Sequence, residues 1–466
     1  MNSNIYEGLN LGKIQEHNPW WRRPEFILED NSILELKKQK YLFLHPLYKN
    51  LPLTKDGILT LRGPRRIGKT TLLKLLIKRL LLQEKIEKEN VFFFPCDTIK
   101  DFQELEELLI LYLNYIRPRT NKRLFIFLDE ISFVNQWQRA IKKLVDGGKL
   151  KNSLCLITGS NILDLQYSSE RLPGRRGEVF PWDIKFLPLS FNQFVKLLKP
   201  ELIADSLSLS LALLPEFKKL FTDYLITGGF PVTINEYFNK GYIATETYEI
   251  FLAWIEGDLH KTGKSEESAY QILYRLFVHL GNPVSLYKLS RECGIASHTT
   301  VDEYLDIFEK MFLLFKTPFF SLDEKTFLPR KNRKIYFTDP FILNALKAKV
   351  NGFSQQAFSY TKEQVTAPSQ QACLVENVAA SHFKRQFNQL YFGRSGKDRE
   401  IDFVGFKEGR YSYFEVKYQS QVIKEEFLWA KKILGKNKLV VLSQKDYEEN
   451  KISILPAEMF LGYLSQ

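Results

Sequence analysis

Cysteine is scarce: Cys96, Cys155, Cys293 and Cys373 are the four in 466 residues, and no two form a Cys-x-x-Cys pair. That spacing excludes a disulfide framework and a cysteine-based zinc site. It fits a reducing compartment, and a cytoplasmic location is expected. Long apolar runs are missing as well. The most apolar stretch, TLLKLLIKRLLLQ at 71–83, is broken by Lys74, Lys78 and Arg79, so it is too short and too charged to span a membrane. The first residues, MNSNIYEGLNLGKIQEHN, show no basic segment followed by an apolar one, so no signal peptide is expected. No internal repeat is visible. What the chain has in quantity is apolar and basic material. Hydrophobic residues make up 44%, with 37 Phe and 22 Tyr, which excludes general disorder and allows several packed cores. A length of 466 residues sets a prior of two to four domains at roughly 100–200 residues each. The net charge of +12 suits a polyanionic partner, and DNA is the partner expected.

From about 55 to 190, short apolar runs alternate with helical patterns. GILTLR, VFFFP, RLFIFLDE and SLCLITGS read as strands, and the segments between them as helices. Near-continuous apolar strands separated by helices indicate an α/β fold with a parallel sheet covered on both faces. The stretch 191–262 reads as a helical lid, and 263–348 as helices followed by a short two-stranded region. At 349–370 periodicity fades into Gln, Ser and Lys, so a linker is expected there, ahead of a last domain at 371–466 ordered helix, three strands, helix, strand.

The first strand runs into GPRRIGKTT, where Gly63-x-x-x-x-Gly68-Lys69-Thr70 opens a helix. That strand–loop–helix context is what a P-loop requires. The loop Gly63, Pro64, Arg65, Arg66, Ile67, Gly68, Lys69, Thr70 and Thr71 would cradle the phosphates of ATP at the helix N-terminus through its backbone N–H groups, Pro64 having none. Lys69 would reach the β- and γ-phosphates, and Thr70 would put its hydroxyl on Mg²⁺. The apolar strand LFIFLDE supplies the second half: Asp129 to hold Mg²⁺ and Glu130 to polarise the attacking water. After the next strand, Ser160 or Asn161 reads as a γ-phosphate sensor or as a helix N-cap. Arg171, Arg175 and Arg176 cluster in a loop. One of them acts as an arginine finger on a neighbouring subunit's ATP, or the cluster is a solvated basic loop.

Near the C-terminus, strand-like runs contain charge: Asp402 lies between Ile401 and Phe403, and Glu415-x-Lys417 closes the next run. Alternate residues of a strand share a face, so Glu415 and Lys417 point the same way. If the strands are neighbours, Asp402 and Glu415 bind one divalent ion and Lys417 orients or activates a water beside a phosphodiester. Glu376, on the helix ahead of the strands, is a further carboxylate for that site. Salt bridges alone are the competing reading. In the middle segment, VSLYKLSRECGIASHTTVDEYLDIFEKMFLL at 284–314 fits helix–turn–helix, with Gly294 at the turn and Ser297 as N-cap. Its second helix carries Asp302, Glu303, Asp306 and Glu309, so either Arg330, Lys331, Arg333 and Lys334 form a basic wing instead, or the winged helix packs on the ATPase as a lid.

The arrangement of Glu376, Asp402 and Glu415-x-Lys417 resembles the PD-(D/E)XK nuclease superfamily. The whole chain resembles archaeal- and bacterial-type AAA+ ATPases that carry such a domain at the C-terminus. The resemblance runs through NPWW (18–21), GPRRIGKTT (63–71), LDEI (128–131), TGSN (158–161), PGRRGEVFPW (173–182), PLSF (188–191), TGGFP (227–231), KIYFTD (334–339), LVEN (374–377) and EIDFV…FEVK (400–417). It implies ATP hydrolysis with Mg²⁺, a winged-helix middle segment, DNA association and an ATP-dependent homo-oligomer. One element departs: the usual Leu-x-Gly-Arg reads LPGRRG, which leaves Arg175 or Arg176 as the functional arginine. Two functions follow. One is an ATP-driven DNA-processing enzyme with a Mg²⁺-dependent nuclease domain. The other is an ATP-dependent conformational switch whose last domain only grips nucleic acid or a protein.

Overall fold

The apolar runs of the first 190 residues become a sheet. In the computed structural model, which describes residues 10–159, 172, 174–178, 181–203, 210–329, 331–397, 399–448 and 450–464, strands β1 (Gly57–Arg62), β2 (Val91–Pro95), β3 (Leu124–Asp129), β4 (Ser153–Gly159) and β5 (Asp183–Lys185) align in the order β2-β3-β4-β1-β5. Every pairing is parallel. All residues of β1, β3 and β4 are buried, which requires cover on both faces. The helices Lys69–Leu82, Phe102–Ile116 and Trp137–Asp146 connect these strands. The outer edge of β2 is closed by the NPWW segment. Asn18 accepts from Phe93 N at 2.7 Å and donates to Phe93 O at 2.9 Å, and both indoles, Trp20 and Trp21, donate to Val91 O at 3.0 Å. These bonds occupy edge groups of Val91 and Phe93 that could otherwise pair with another strand.

The chain divides into two compact units, Met1–Leu187 and Pro188–Gln466. The helices expected as a lid, Phe191–Leu198, Leu214–Thr227, Pro231–Lys240 and Thr245–His260, belong to the second. Within it the TGGFP and KIYFTD segments form a joint. Asp339 is buried and accepts from Gly229 N at 2.7 Å and from Phe341 N at 2.8 Å. Gly229 must be glycine, since a Cβ there would sit 2.1 Å from Leu189 O.

The helices Glu266–Val278, Leu286–Glu292 and His298–Lys310 precede β6 (Leu314–Ser321), β7 (Thr326–Phe327) and β8 (Arg333–Phe337). The C-terminal part then runs in the expected order: helix Pro368–Gln386, strands β9 (Gln389–Ser395), β10 (Arg399–Lys407) and β11 (Arg410–Val416), helix Leu428–Leu434, and β12 (Leu439–Ser443). Strand β13 (Ile452–Pro456) and a helix Ala457–Tyr463 follow. Two expectations about boundaries are corrected. First, the middle and last segments share one eight-stranded sheet, because β6 pairs with β8 on one side and runs parallel to β9 on the other. Second, the expected linker at 349–370 is helical. Ala357, Thr361 and Val365 are buried at a spacing of four, so the helix Ala357–Thr366 has a packed stripe that its Gln, Ser and Lys content obscures. Among the described residues, no helix is long and apolar enough to cross a membrane.

Candidate functional site

The loop between β1 and the helix Lys69–Leu82 follows a backbone path that needs its glycines. Gly68 has φ +100° and Arg66 φ +62°. A Cβ on Gly63 would lie 2.0 Å from Phe186 O, where β5 runs out beside β1. Ile67 is buried and anchors the loop, while the Arg65 guanidinium lies 5.8 Å from the centre of the Phe133 ring. Arg66 is exposed and Thr71 is half-buried on the helix. The Lys69 ammonium is buried and donates to the carbonyls of Gly63 and Pro64, both at 3.0 Å, so it lies across the loop.

The acids at the end of β3 meet this loop. Thr70 Oγ1 donates to Asp129 Oδ2 at 2.6 Å. Asp129's other oxygen accepts from the Thr158 hydroxyl at the end of β4. Thr158 Oγ1 in turn accepts from Glu130 N at 3.1 Å. Glu130 has φ +50°, a left-handed conformation that costs a non-glycine residue roughly 1–2 kcal/mol. It turns the chain sharply, straight after the buried aspartate. Thr158 was missed in the sequence reading, which looked past it to Ser160 and Asn161; those two lie outside the described residues. A carboxylate and a threonine hydroxyl brought together beside a phosphate-type loop are oxygen ligands that a hard divalent ion takes, so the residues present fit ATP with Mg²⁺.

The two candidate arginines differ. Arg176 is buried: it donates to Asp183 Oδ2, to Thr60 Oγ1 and to Trp182 O, each at 3.0 Å. These bonds tie it into the β1–β5 edge. Arg175 is half-exposed and pairs with Asp146 at 2.5 Å.

The C-terminal carboxylates do converge. The antiparallel register Phe403↔Phe414 sets Asp402 across from Glu415, at a point where the pairing of β10 with β9 is irregular. Glu415 Oε2 accepts from Asp402 N at 3.0 Å, and Glu415 Oε1 lies 3.2 Å from Lys417 Nζ. Asp402 Oδ2 accepts from Val416 N at 2.9 Å. On the side of Asp402 away from Glu415, however, lies a buried ammonium. Lys334, on β8 and 1% exposed, places Nζ 2.6 Å from Asp402 Oδ1, 2.9 Å from Glu400 Oε1 and 3.2 Å from Glu376 Oε1. Each of the four oxygens of Asp402 and Glu415, the pair expected to hold a divalent ion, therefore faces a protein donor. Among the described residues, no group of three or more His, Cys, Asp and Glu side chains is arranged to hold a metal ion.

The electrostatics agree with that geometry. Burial works against the Lys334 charge, but Asp402, Tyr336, Glu376 and Glu400 outweigh it and hold the lysine well above its ordinary pKa. Burial, and then Asp402, push both Glu376 and Glu415 upward. Tyr336 donates to Glu376 Oε1 at 2.6 Å, and Arg394 pairs with Glu400 at 2.5 Å. The LVEN segment also grips β8 through the neighbouring residue: Asn377 accepts from Phe337 N at 2.7 Å and donates to its carbonyl at 3.1 Å. Lys334, Tyr336 and Glu400 were missed as members of this site. The only signal was that KIYF is a strand with a lysine inside it.

Two of the four residues expected to form a basic wing, Arg333 and Lys334, are paired with acids. Lys334 is buried, and Arg333 pairs with Asp302 at 3.0 Å; Lys331 is exposed, and Arg330 lies outside the described residues. Lys316 on β6 faces Asp306, Asp302 at 3.4 Å and Glu309 at 3.9 Å. The acids of the helix His298–Lys310 thus face their own strands, and Glu303 pairs with Lys264 at 2.5 Å.

In the first unit, β4 stands between β1, which feeds the loop, and β3, which ends in Asp129 and Glu130. That inserted strand, with the tandem acids, marks a P-loop ATPase domain of the AAA+ class. Residues 55–195 match the AAA_14 family, an AAA domain. Residues 218–356 and 373–460 match two domains of unknown function, DUF8612 and DUF4143. A Haemophilus influenzae protein described as uncharacterized is 25% identical over 423 residues, covering 88% of this chain and 95% of its own. A second, from Methanocaldococcus jannaschii, is 25% identical over 413 residues, covering 83% of this chain and 79% of its own. Among solved structures, a Walker-type ATPase of Pyrococcus abyssi is similar over 64% of this chain and 93% of its own, at 14% identity and a TM-score of 0.42.

Proposed function

We propose that this protein is an ATP-hydrolysing conformational switch whose C-terminal region has a nuclease-like fold, grips nucleic acid and does not cut it. The contrast between its two acid sites carries this reading. Asp129 is flanked by two hydroxyls, beside a loop built for phosphate. Asp402 is already matched by a buried ammonium.

At the first site Lys69 would exchange the loop carbonyls for phosphate charge, and Thr70 and Asp129 would hold Mg²⁺. The ion, when bound, neutralises charge that develops on the phosphates. Glu130 orients and polarises the attacking water. Arg175 is the arginine offered to a neighbouring subunit in an ATP-dependent homo-oligomer. At the second site, the sheet with Glu376, Asp402, Glu415 and Lys417 supports descent from a metal-dependent nuclease, and Lys334 supports loss of the metal. DNA is the partner that the net charge of +12 suits.

A switch needs two states with different affinities for the partner. DNA affinity should therefore differ between Glu130→Gln protein loaded with ATP and Lys69→Ala protein mixed with the same ATP. Coupling between two sites typically amounts to about 5–150-fold. Fluorescence anisotropy with a labelled duplex and a labelled single strand, at one fixed salt concentration, measures it. Equal affinities in the two proteins for both ligands would sink the switch.

A further inference from the structure

Lys334 does not belong to the helix–strand core that carries the carboxylates. It comes from β8, an antiparallel partner of β6, and reaches Glu376 on a helix and Glu400 and Asp402 on β10. Three carboxylates from two elements thus point at one buried position, and their oxygens lie 2.6, 2.9 and 3.2 Å from its centre. Lysine is among the residue types least often fully buried, and here the side chain is 1% exposed. Four carboxylates, Glu376, Glu400, Asp402 and Glu415, meet three cations, Lys334, Arg394 and Lys417. With every group ionised the cluster carries one excess negative charge, and losing Lys334 would make it two.

We infer that Lys334 is a resident cation that substitutes for a divalent ion, and that removing its charge turns Glu376, Glu400 and Asp402 into a divalent-cation site. This rests on the reading that the C-terminal region is nuclease-like and does not cleave. The shell is held by groups other than Lys334. Tyr336 orients Glu376, Arg394 orients Glu400, and Val416 N orients Asp402. Supports of this kind fix the direction of metal-ligating carboxylates. When the ammonium is gone, three adjacent carboxylates repel, and the relief open to them is protonation or a hard cation. The choice of ion follows from size. The nitrogen–oxygen distances of 2.6–3.2 Å exceed metal–oxygen distances, so the shell must contract. Ca²⁺, at about 2.3–2.6 Å with flexible geometry, needs the least contraction; Mg²⁺, at about 2.0–2.1 Å and strictly octahedral, needs the most.

The test uses the full chain without nucleotide. Lys334→Met keeps most of the side chain's length and removes its charge. Ca²⁺ should raise the melting temperature of Lys334→Met more than Mg²⁺ does, and neither should move wild type. Adding Asp402→Asn to Lys334→Met should abolish the response, which assigns the ion to this cluster and not to Asp129. Calorimetric titration with Ca²⁺ should show one site in Lys334→Met. If Lys334→Met does not fold alone, refolding from denaturant with and without Ca²⁺ decides: recovery only with the cation supports the inference, and no recovery with either ion overturns it. A Lys334→Met protein that folds and ignores both ions overturns it too, as does an Asp402-dependent Ca²⁺ response in wild type. Silence of Lys334→Met leaves the non-cleaving reading intact, whereas DNA cleavage by wild type would remove that reading itself.

Discussion

Glu130→Gln should bind ATP as the wild type does and turn it over about 10²–10⁴ times more slowly, the range a positioned acid–base group contributes. The amide keeps the size and the left-handed turn after β3, where φ is +50°, so the fold is preserved. It removes the one carboxylate that immediately follows the buried Asp129. Lys69→Ala should fail one step earlier. Its ammonium is the buried cation lying across Gly63 and Pro64 at 3.0 Å, and without it the loop loses the charge seated among its own carbonyls. Nucleotide binding followed with a fluorescent ATP analogue, together with phosphate release, separates the two outcomes. Ordinary turnover in Glu130→Gln protein would take the water-activating role from that residue.

Lys334→Ala should destabilise the second unit by about 3–5 kcal/mol, the cost of removing one partner from a buried ion pair. The alanine leaves Glu376, Glu400 and Asp402 facing one another around an empty position. The loss should depend on pH. Lys334 has a raised pKa, so its contribution is complete below the ordinary lysine value of about 10.4 and fades only as pH rises through the higher folded value. Glu376 and Glu415 are raised by burial, with Asp402 next. In the folded state they hold protons at pH values where the unfolded chain has lost them. Their contribution therefore improves as pH falls toward the ordinary glutamate value of about 4.3. Without the lysine these carboxylates rise further and gain more from acid. The gap between variant and wild type should narrow from about pH 8 to about pH 5 in urea unfolding. A gap that stays constant or widens would contradict the account of the cluster.

Much of the nucleotide site could be read because its chemistry is local. Gly63 to Thr70 is one continuous loop, and LFIFLDE puts both acids at the end of one apolar strand. The role of Thr158 was hidden because it depends on β4 lying between β1 and β3, a matter of sheet order and not of sequence neighbourhood. Arg175 and Arg176 are adjacent and chemically identical. Only the packing of Arg176 against Thr60, Trp182 and Asp183 separates them.

The C-terminal cluster shows the limit more sharply. Period-two alternation along β11 correctly set Glu415 and Lys417 on one side, and the pairing of β10 with β11 brought Asp402 to them. Lys334 stands 68 residues before Asp402 in the chain, inside a stretch whose Arg and Lys content reads as a solvent-facing wing. Composition cannot distinguish a lysine that faces water from one that β8 points into a carboxylate shell. The helix Ala357–Thr366 was taken for a linker on the same kind of evidence, its polar composition outweighing a buried residue every four positions.

The two acid sites can be compared in one reaction. Purified wild-type protein is incubated with ATP, Mg²⁺ or Mn²⁺, and end-labelled duplex, single-stranded and branched DNA. Phosphate release and strand scission are then measured in the same tubes, beside Glu130→Gln as the hydrolysis control. The account predicts ATP turnover that Glu130→Gln abolishes, with every DNA strand intact under both metals. Strand scission by wild type that disappears in Asp402→Asn would contradict it, because Asp402 would then be holding a catalytic metal that Lys334 is here said to replace.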